Sequence, residues 1–434
     1  MRRSLSLIAA VSVALLGAAP SATAADPRRA SQWGLDMVEA DAAHATTTGT
    51  GAVVAVIDSG VLPTHEDLKG RLLDGRDFVQ DDNVPQDGDG HGTHVTGVVV
   101  ATKDNGLGVS SVAPGATVLP IRVLDDEGSG ETADVARAID YAVARGAHVI
   151  NLSLGSDVPL LGAGGDRDLN AALDRAADAG VVIVAAAGNN TVPICEQPSV
   201  GDRLLCVGSV DRRRTASFFS SFAGPRGVVA PGGSGLVGPD EDILSTWNDG
   251  KYDYAAGTSQ ATPHAAGVAA LLVSLGMRGS AVADRILATA SDAGPPGPDD
   301  QYGAGIVNAR AAVEGLRPPG GGGGGTGGGS GGGSTSSGSV SVAKHHRTAK
   351  VLKNGIRVRC KPPASGRCSA RVVSGSTTVA YGSAKAKAGR AVTIVARTTK
   401  AGRKLLNRKR KVSAKAEISL PGAPARVKSL SIKR

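Results

Sequence analysis

From about residue 50 to residue 290 the chain alternates short aliphatic runs with longer stretches in which apolar residues recur at helical spacing. Ala52 to Ile57 is unbroken aliphatic sequence, and Val118 to Leu124, Val149 to Leu154, Val181 to Ala187 and Leu204 to Val210 repeat the pattern. Runs without polar alternation suit strands buried on both faces. Between and after them, Val95 to Ala101, Ala133 to Ala144, Leu169 to Ala179, Gln260 to Leu275 and Ala281 to Thr289 read as helices. Strands separated by helix-length segments predict an α/β fold, a parallel sheet with helices on both faces. Ahead of it, Ala25 to Thr50 is polar, with Trp33 as its one large apolar anchor.

The pattern changes after Leu316. Pro318 and Pro319 open a stretch in which 13 of the 19 residues from Gly320 to Gly338 are Gly and the rest Ser or Thr. Such a tether is a flexible coil spanning about 25 Å. Beyond it the text has period two, at Ile356 to Cys360, Thr377 to Tyr381, Ala391 to Ala396 and Val412 to Leu420, with one short helix near Ala401 to Leu406. This predicts a small all-β, sandwich-like domain. The expected organisation is a leader at 1–24, a catalytic-size domain at 25–317, a Gly/Ser-rich linker at 318–339 and a β-rich domain at 340–434.

Composition sharpens the picture. Of 434 residues, 41% are apolar, enough for one large core and a smaller one, but only 3% are aromatic, so both cores must be aliphatic. Met1 to Ala24 has Arg2 and Arg3, an apolar run from Leu5 to Ala19, and Ala22-Thr23-Ala24 before a cleavage point, the pattern of a secretory signal peptide. The apolar run is short of the roughly 20 residues a membrane span needs, and no later segment supplies one. A secreted, extracellular location is expected, and there four cysteines suit two disulfides. Three pairings are open; neighbours, Cys195 with Cys206 and Cys360 with Cys368, are the simplest.

The net charge of +9 conceals a division. Residues 340–434 hold 25 Lys and Arg against one acid, Glu417, for +24; the rest holds 23 basic and 38 acidic residues, for −15. A basic surface of this density is the footprint of a polyanion partner. Tyr381 is the segment's only aromatic residue, which argues against nucleic-acid stacking. An anionic cell-wall polymer or membrane surface suits it better.

Candidate chemistry gathers where strands end and helices begin. Asp58 closes the first strand, at the edge where open α/β sheets bind ligands. His91 opens a helix in His91-Gly92-Thr93-His94. The pair His91 and His94 lacks the HExxH context of a metal site, and His94 reads as a packed support. Gly188-Asn189 ends another strand. In Gly257-Thr258-Ser259-Gln260-Ala261-Thr262-Pro263-His264-Ala265-Ala266-Gly267 a tight turn opens a buried helix, with Ser259 at its positive end and Pro263 expected within the first turn, where a missing N–H costs nothing. A Ser hydroxyl needs an imidazole to take its proton and a carboxylate to orient that imidazole.

At these residues the chain resembles the subtilisin-like serine peptidases. VAVIDSGV around Asp58, HGTHVTG at His91, AAAGN ending at Asn189 and GTSQATPHAAG at Ser259 match that family's four motifs in its Asp, His, Ser order. The resemblance covers about Gln32 to Val313. It implies a subtilisin-like fold and a serine endopeptidase acting on polypeptides, with Asp58 as orienting acid, His91 as general base then acid, Ser259 as nucleophile and Asn189 as oxyanion donor. It further implies that Gly128-Ser129-Gly130 and Ser153-Leu154-Gly155 flank an extended substrate as added strands. The pocket for the residue before the scissile bond would be walled by Leu154, Gly155, Ala187 and Gly188. These walls are small and uncharged, so broad specificity with an apolar preference is expected. Many relatives carry a folding pro-domain, whereas here the catalytic segment follows the leader almost directly, and Gln260 replaces the family's usual Met. The chemistry requires no cofactor. A structural calcium, common in the family, is left open: Asp67 and the Lys103 to Val109 loop resemble one such site only loosely, and Asp87-Gly88-Asp89 lacks EF-hand spacing.

Overall fold

The computed structural model describes residues 25–154, 167–196, 203–318, 339–343, 345–361, 366–374, 377–420 and 423–433. The chain divides into two compact units, 1–323 and 324–434, each described by itself. The leader, residues 319–338 of the linker and Gly155 lie outside the described residues, and Ser339, expected to close the linker, opens a strand.

The first unit begins with α1 (Trp33–Met37) and α2 (Ala40–His44), then β1 (Val53–Asp58), β2 (Arg76–Asp77), α3 (His91–Val100), β3 (Thr117–Arg122), α4 (Thr132–Ala144) and β4 (Val149–Leu152). It continues with α5 (Arg167–Asp178), β5 (Val182–Ala186), β6 (Leu204–Val210), β7 (Val228–Pro231), β8 (Ile243–Thr246), β9 (Tyr252–Ala255), α6 (Thr258–Ser274), α7 (Ser280–Thr289) and α8 (Ala309–Val313). Seven strands form one parallel sheet in the order β2-β3-β1-β4-β5-β6-β7, and β8 and β9 form a separate antiparallel ribbon.

Strand pleating explains the two cores. On β1, Val54 and Val56 face one side and Ala55 and Ile57 the other; on β5, Val182 and Val184 oppose Ile183 and Ala185. The first set packs with α3, α6, α7 and α8, the second with α4 and α5. Each such side chain, buried on either face, contributes about 1.5–3 kcal/mol of hydrophobic stabilisation, which is why the strands read as unbroken aliphatic runs. Helix α6 is buried from Thr258 to Val273. Its small residues allow close packing: a Cβ on Gly267 would lie 2.5 Å from Val112.

The direction of winding changes around β1, whose neighbours are β3 and β4. Chain ends diverge at such a point and leave a crevice at the carboxyl edge. Asp58, Ser153 and Asn189 stand at or just beyond the ends of β1, β4 and β5, which are consecutive in the sheet.

The second unit contains β10 (Ser339–Val342), β11 (His345–Arg347), α9 (Thr348–Asn354), β12 (Ile356–Lys361), β13 (Gly366–Ser374), β14 (Thr377–Ala386), β15 (Val392–Thr398), α10 (Lys400–Arg408), β16 (Lys411–Leu420) and β17 (Ala423–Lys433). The strand order is β10-β12-β15-β14-β13-β16-β17-β11, antiparallel except at the β11 edge. Cys360 on β12 is bonded to Cys368 on β13, although β15 and β14 separate these strands in the sheet, so the sheet folds over its aliphatic core. Strands β13 and β17 have no counterpart among the runs read from the sequence, where Gly, Ser and basic residues dilute the alternation.

Outward positions on β12 are basic. On β12, Ile356, Val358 and Cys360 are buried while Arg357, Arg359 and Lys361 are exposed. Across β15, β14 and β13 the register sets Arg397, Tyr381 and Arg371 in one row, with Tyr381 54% exposed.

Candidate active site

Asp58 is fully buried, and its Oδ1 accepts hydrogen bonds from His91 Nδ1–H at 2.7 Å and from the Ser59 N–H at 2.8 Å. His91, the first residue of α3, keeps 27% of its side chain exposed, so one ring edge is held while the other reaches the crevice. Burial disfavours the charged ring, but Asp58, with Asp89 and Asp87 farther off, outweighs this and raises the His91 pKa to about 9. His94, one turn on, is fully buried; its Nε2–H donates to the Ile243 carbonyl at 2.9 Å, and burial lowers its pKa to about 3. It is a neutral support, as its sequence context suggests.

Asp87 holds this corner together, a role the sequence reading passes over. Its Oδ1 accepts from Ser59 Oγ–H at 2.9 Å and Gly90 N–H at 2.8 Å, and its Oδ2 from Thr93 N–H at 2.8 Å and Thr93 Oγ–H at 2.6 Å. Ser59 Oγ in turn accepts from Gly92 N–H at 2.9 Å. Asp87, Ser59 and Asp89, whose Oδ1 accepts from His91 N–H at 3.0 Å, thus share the free donors of the α3 N-terminus and tie them to the residue after Asp58. The signal was an acid a few residues ahead of a helix start. Gly90 adopts φ 110°, and a Cβ there would lie 2.6 Å from the Trp247 ring.

Ser259, the second residue of α6, is 7% exposed, and its Oγ–H donates to the Ser153 carbonyl at 3.0 Å. Ser153 Oγ–H returns a bond to the Ser259 carbonyl at 2.8 Å. Pro263 explains the second bond and corrects the expectation of a first-turn proline. It is the sixth residue of α6, where its missing N–H would otherwise bond to the carbonyl of Ser259. The helix forfeits that bond, and Ser153 supplies the donor.

Asn189 is exposed. Its Oδ1 accepts from Thr258 N–H at 3.0 Å and Thr258 Oγ–H at 2.9 Å, which fixes the amide with Nδ2 as the outward donor. Nδ2 and the Ser259 nitrogen each lie 3.6 Å from the point a Cβ of Gly257 would occupy. The two donors therefore face a common space beside the helix start.

Gly128, Ser129 and Gly130 follow β3 in a loop closed by Asp125, whose carboxylate accepts from Ser129 N–H at 2.8 Å. Arg122 anchors the loop through Asp77 at 3.0 Å and Asp126 at 2.7 Å. Ser153 and Leu154 are buried beyond β4, and Ala187 is buried with Gly188 beyond β5. Cys195 is bonded to Cys206 on β6, the neighbour pairing, as is Cys360 to Cys368.

The loop considered for calcium is fastened differently. Asp67 accepts from Asn105 Nδ2–H at 2.8 Å and Val109 N–H at 2.9 Å, one on each oxygen, and Asp26 accepts from the N–H groups of Asp104 and Asn105 at 2.9 and 3.0 Å. Each oxygen of both carboxylates thus carries one N–H bond that fastens the loop. Among the described residues, no group of three or more His, Cys, Asp or Glu is arranged for a metal ion.

A parallel α/β sheet with a buried carboxylate on an imidazole, and a Ser opening a buried helix along the same edge, defines a serine hydrolase architecture. Comparison with known proteins makes the class specific. Residues 49–305 match the Subtilase family of S8 peptidases. Thermitase of Thermoactinomyces vulgaris is 40% identical over 285 residues, covering 65% of this chain and 96% of that protein. Subtilisin Savinase of Lederbergia lenta is 38% identical over 284 residues, covering 65% and 98%. A solved protease from Pseudoalteromonas arctica superposes with a TM-score of 0.60 at 33% identity, covering 67% of this chain and 98% of that one. The chain belongs to the subtilase family and is a serine endopeptidase.

Proposed function

We propose that peptide bonds are cleaved through an acyl-enzyme on Ser259. The observation that carries this reading is the 2.7 Å bond between buried Asp58 and His91. Rotation of the Ser259 side chain moves its hydroxyl from the Ser153 carbonyl to His91 Nε2, the kind of tightening that substrate binding brings. Oγ attacks the scissile carbonyl carbon as its proton passes to Nε2, and Asp58 stabilises the imidazolium. The oxyanion receives hydrogen bonds from Asn189 Nδ2 and the Ser259 N–H. His91 then returns the proton to the leaving amine as the C–N bond breaks. Water, activated by the same imidazole, releases the acyl group. The substrate lies extended between Gly128-Ser129-Gly130 and Ser153-Leu154-Gly155, with its side chain before the scissile bond against Leu154, Ala187 and Gly188.

A fluorophosphonate probe tests this directly. Wild type is expected to be labelled at Ser259 and to digest casein, and Ser259→Ala to do neither. Equal labelling of both, with casein uncut by either, would end the proposal.

The second unit is proposed to hold the secreted enzyme on an anionic surface, a wall polymer or anionic membrane, through the outward Arg357, Arg359, Lys361 and Arg397. Its sequence charge of +24 supports this. Retention on isolated bacterial walls that weakens as salt rises is the expected result; no retention at low salt removes the idea.

A further inference from the structure

The wall beside Asn189 carries a charge that an uncharged pocket reading omits. Gly188 adopts φ 106°, and a Cβ on it would lie 2.1 Å from Oε1 of Glu196. The carboxylate occupies the space where a side chain at 188 would stand. Backbone and covalent links hold it there. The Glu196 N–H donates to the Ala187 carbonyl at 2.9 Å, and the adjacent Cys195 is bonded to Cys206 on β6, the strand beside β5.

The carboxylate is oriented by neutral groups. Oε2 accepts from Asn190 Nδ2–H at 2.8 Å, and Oε1 accepts from the Asn190 N–H at 3.3 Å and from the Ser221 hydroxyl. Ser221 is itself tied to the wall through its N–H on the Gly188 carbonyl at 2.9 Å. These are the partners of Glu196 among the described residues, and none is a cation. Neutral donors aim a negative charge without cancelling it. A half-buried carboxylate bonded to Asn190, the residue after the proposed oxyanion donor, recognises a cationic side chain; the planar fork of Arg and the ammonium of Lys both suit it.

We propose that Glu196 makes this pocket select Lys or Arg at the residue preceding the scissile bond. The proposal rests on the reading of Ala187 and Gly188 as the wall of that pocket. It replaces the apolar preference expected from the small flanking residues.

The test uses four matched fluorogenic peptides ending in Lys, Arg, Leu or Phe before the leaving group. Wild type is expected to give a kcat/KM for Lys and Arg about 10-fold or more above that for Leu and Phe. Glu196→Gln is expected to lower the Lys-to-Leu ratio about 10- to 100-fold, the scale of a hydrogen bond to a charged group. Faster wild-type cleavage after Leu or Phe overturns the proposal, whether or not the variant folds. An unchanged ratio in a folded Glu196→Gln chain overturns it as well, because Glu196 would then only brace Asn190 and Ser221. If Ser259 takes the fluorophosphonate label while selectivity ignores residue 196, this proposal alone fails. If Ser259→Ala still cleaves the peptides, the catalytic reading fails with it.

Discussion

The two units solve opposite problems with the same aliphatic residues. The first hides its sheet on both faces and buries Asp58 and Asp87 at its edge, where Asp58 Oδ1 holds His91 and both oxygens of Asp87 accept from named donors. The second hides one face of each strand and gives the other to Arg and Lys, as the alternation of β12 displays. In the first unit a charge acts by direction at hydrogen-bond range, so its loss affects one chemical step. In the second, charges act by number and are screened by salt. Damage at a single residue should be severe in one unit and graded in the other.

The largest effect that would sharpen this contrast is expected at Asp58. Asp58→Asn should lower kcat by about 10⁴-fold with the fold retained, since the imidazole loses its orienting acceptor. It should also shift the pH profile. His91 must be neutral to act as base, so wild-type kcat/KM should rise with pH toward about 9, and without Asp58 the limb should move to lower pH. Stability runs the other way. A His whose folded pKa is raised from 6.5 to about 9 stabilises the fold fully below 6.5, and that contribution is lost as pH rises to about 9. Thermal melts and rate profiles across pH 6 to 10 check both signs.

Next, Asn189→Ala should reduce kcat by about 10²- to 10³-fold with little change in KM, because its Nδ2–H is proposed to bind charge that exists only in the transition state. Steady-state kinetics on one peptide suffice. In the second unit, replacing Arg357, Arg359 and Arg397 one after another by Gln should weaken retention on an anionic polymer in steps. Each lost contact should reduce the slope of log affinity against log salt by about 0.7 to 0.9, borrowing the scale for phosphate contacts. A single replacement that abolished retention would break the contrast, since it would mean one specific site. The smallest effect is expected from chelation. With Asp67 and Asp26 already paired to N–H donors, EDTA should leave the melting temperature within a degree or two, whereas Asp67→Ala should lower it by several degrees.

Much of the first unit was legible because burial on both faces leaves unbroken aliphatic runs. Val53–Asp58 and Leu204–Val210 fall within a residue of the runs that announced them. The ribbon of β8 and β9 was not legible. Tyr252–Ala255 is only partly buried, so no period stands out. In the second unit β13 was missed for a related reason: its alternation is diluted by Ser and Gly. The four motif residues were visible because each stands next to a strand end or helix start among small residues that close packing there requires, such as Gly90 against Trp247 and Gly267 against Val112.

What the sequence alone determined, then, is which residues bury themselves, where elements begin and end, and how charge is divided between the units, because these depend on a residue's own hydropathy and its near neighbours. The placing of Glu196 against Gly188, of Asp87 under the α3 terminus and of the Ser259 hydroxyl on Ser153 was decided by tertiary structure. The first contact closes a turn within one loop, the second spans six residues from Asp87 to Thr93, and the third joins Ser153 and Ser259, 106 positions apart. Periodicity reports which side of an element faces inward, but the partner met there depends on strand order, on loop closure such as the Cys195–Cys206 bond, and on a backbone gap such as the donor Pro263 lacks.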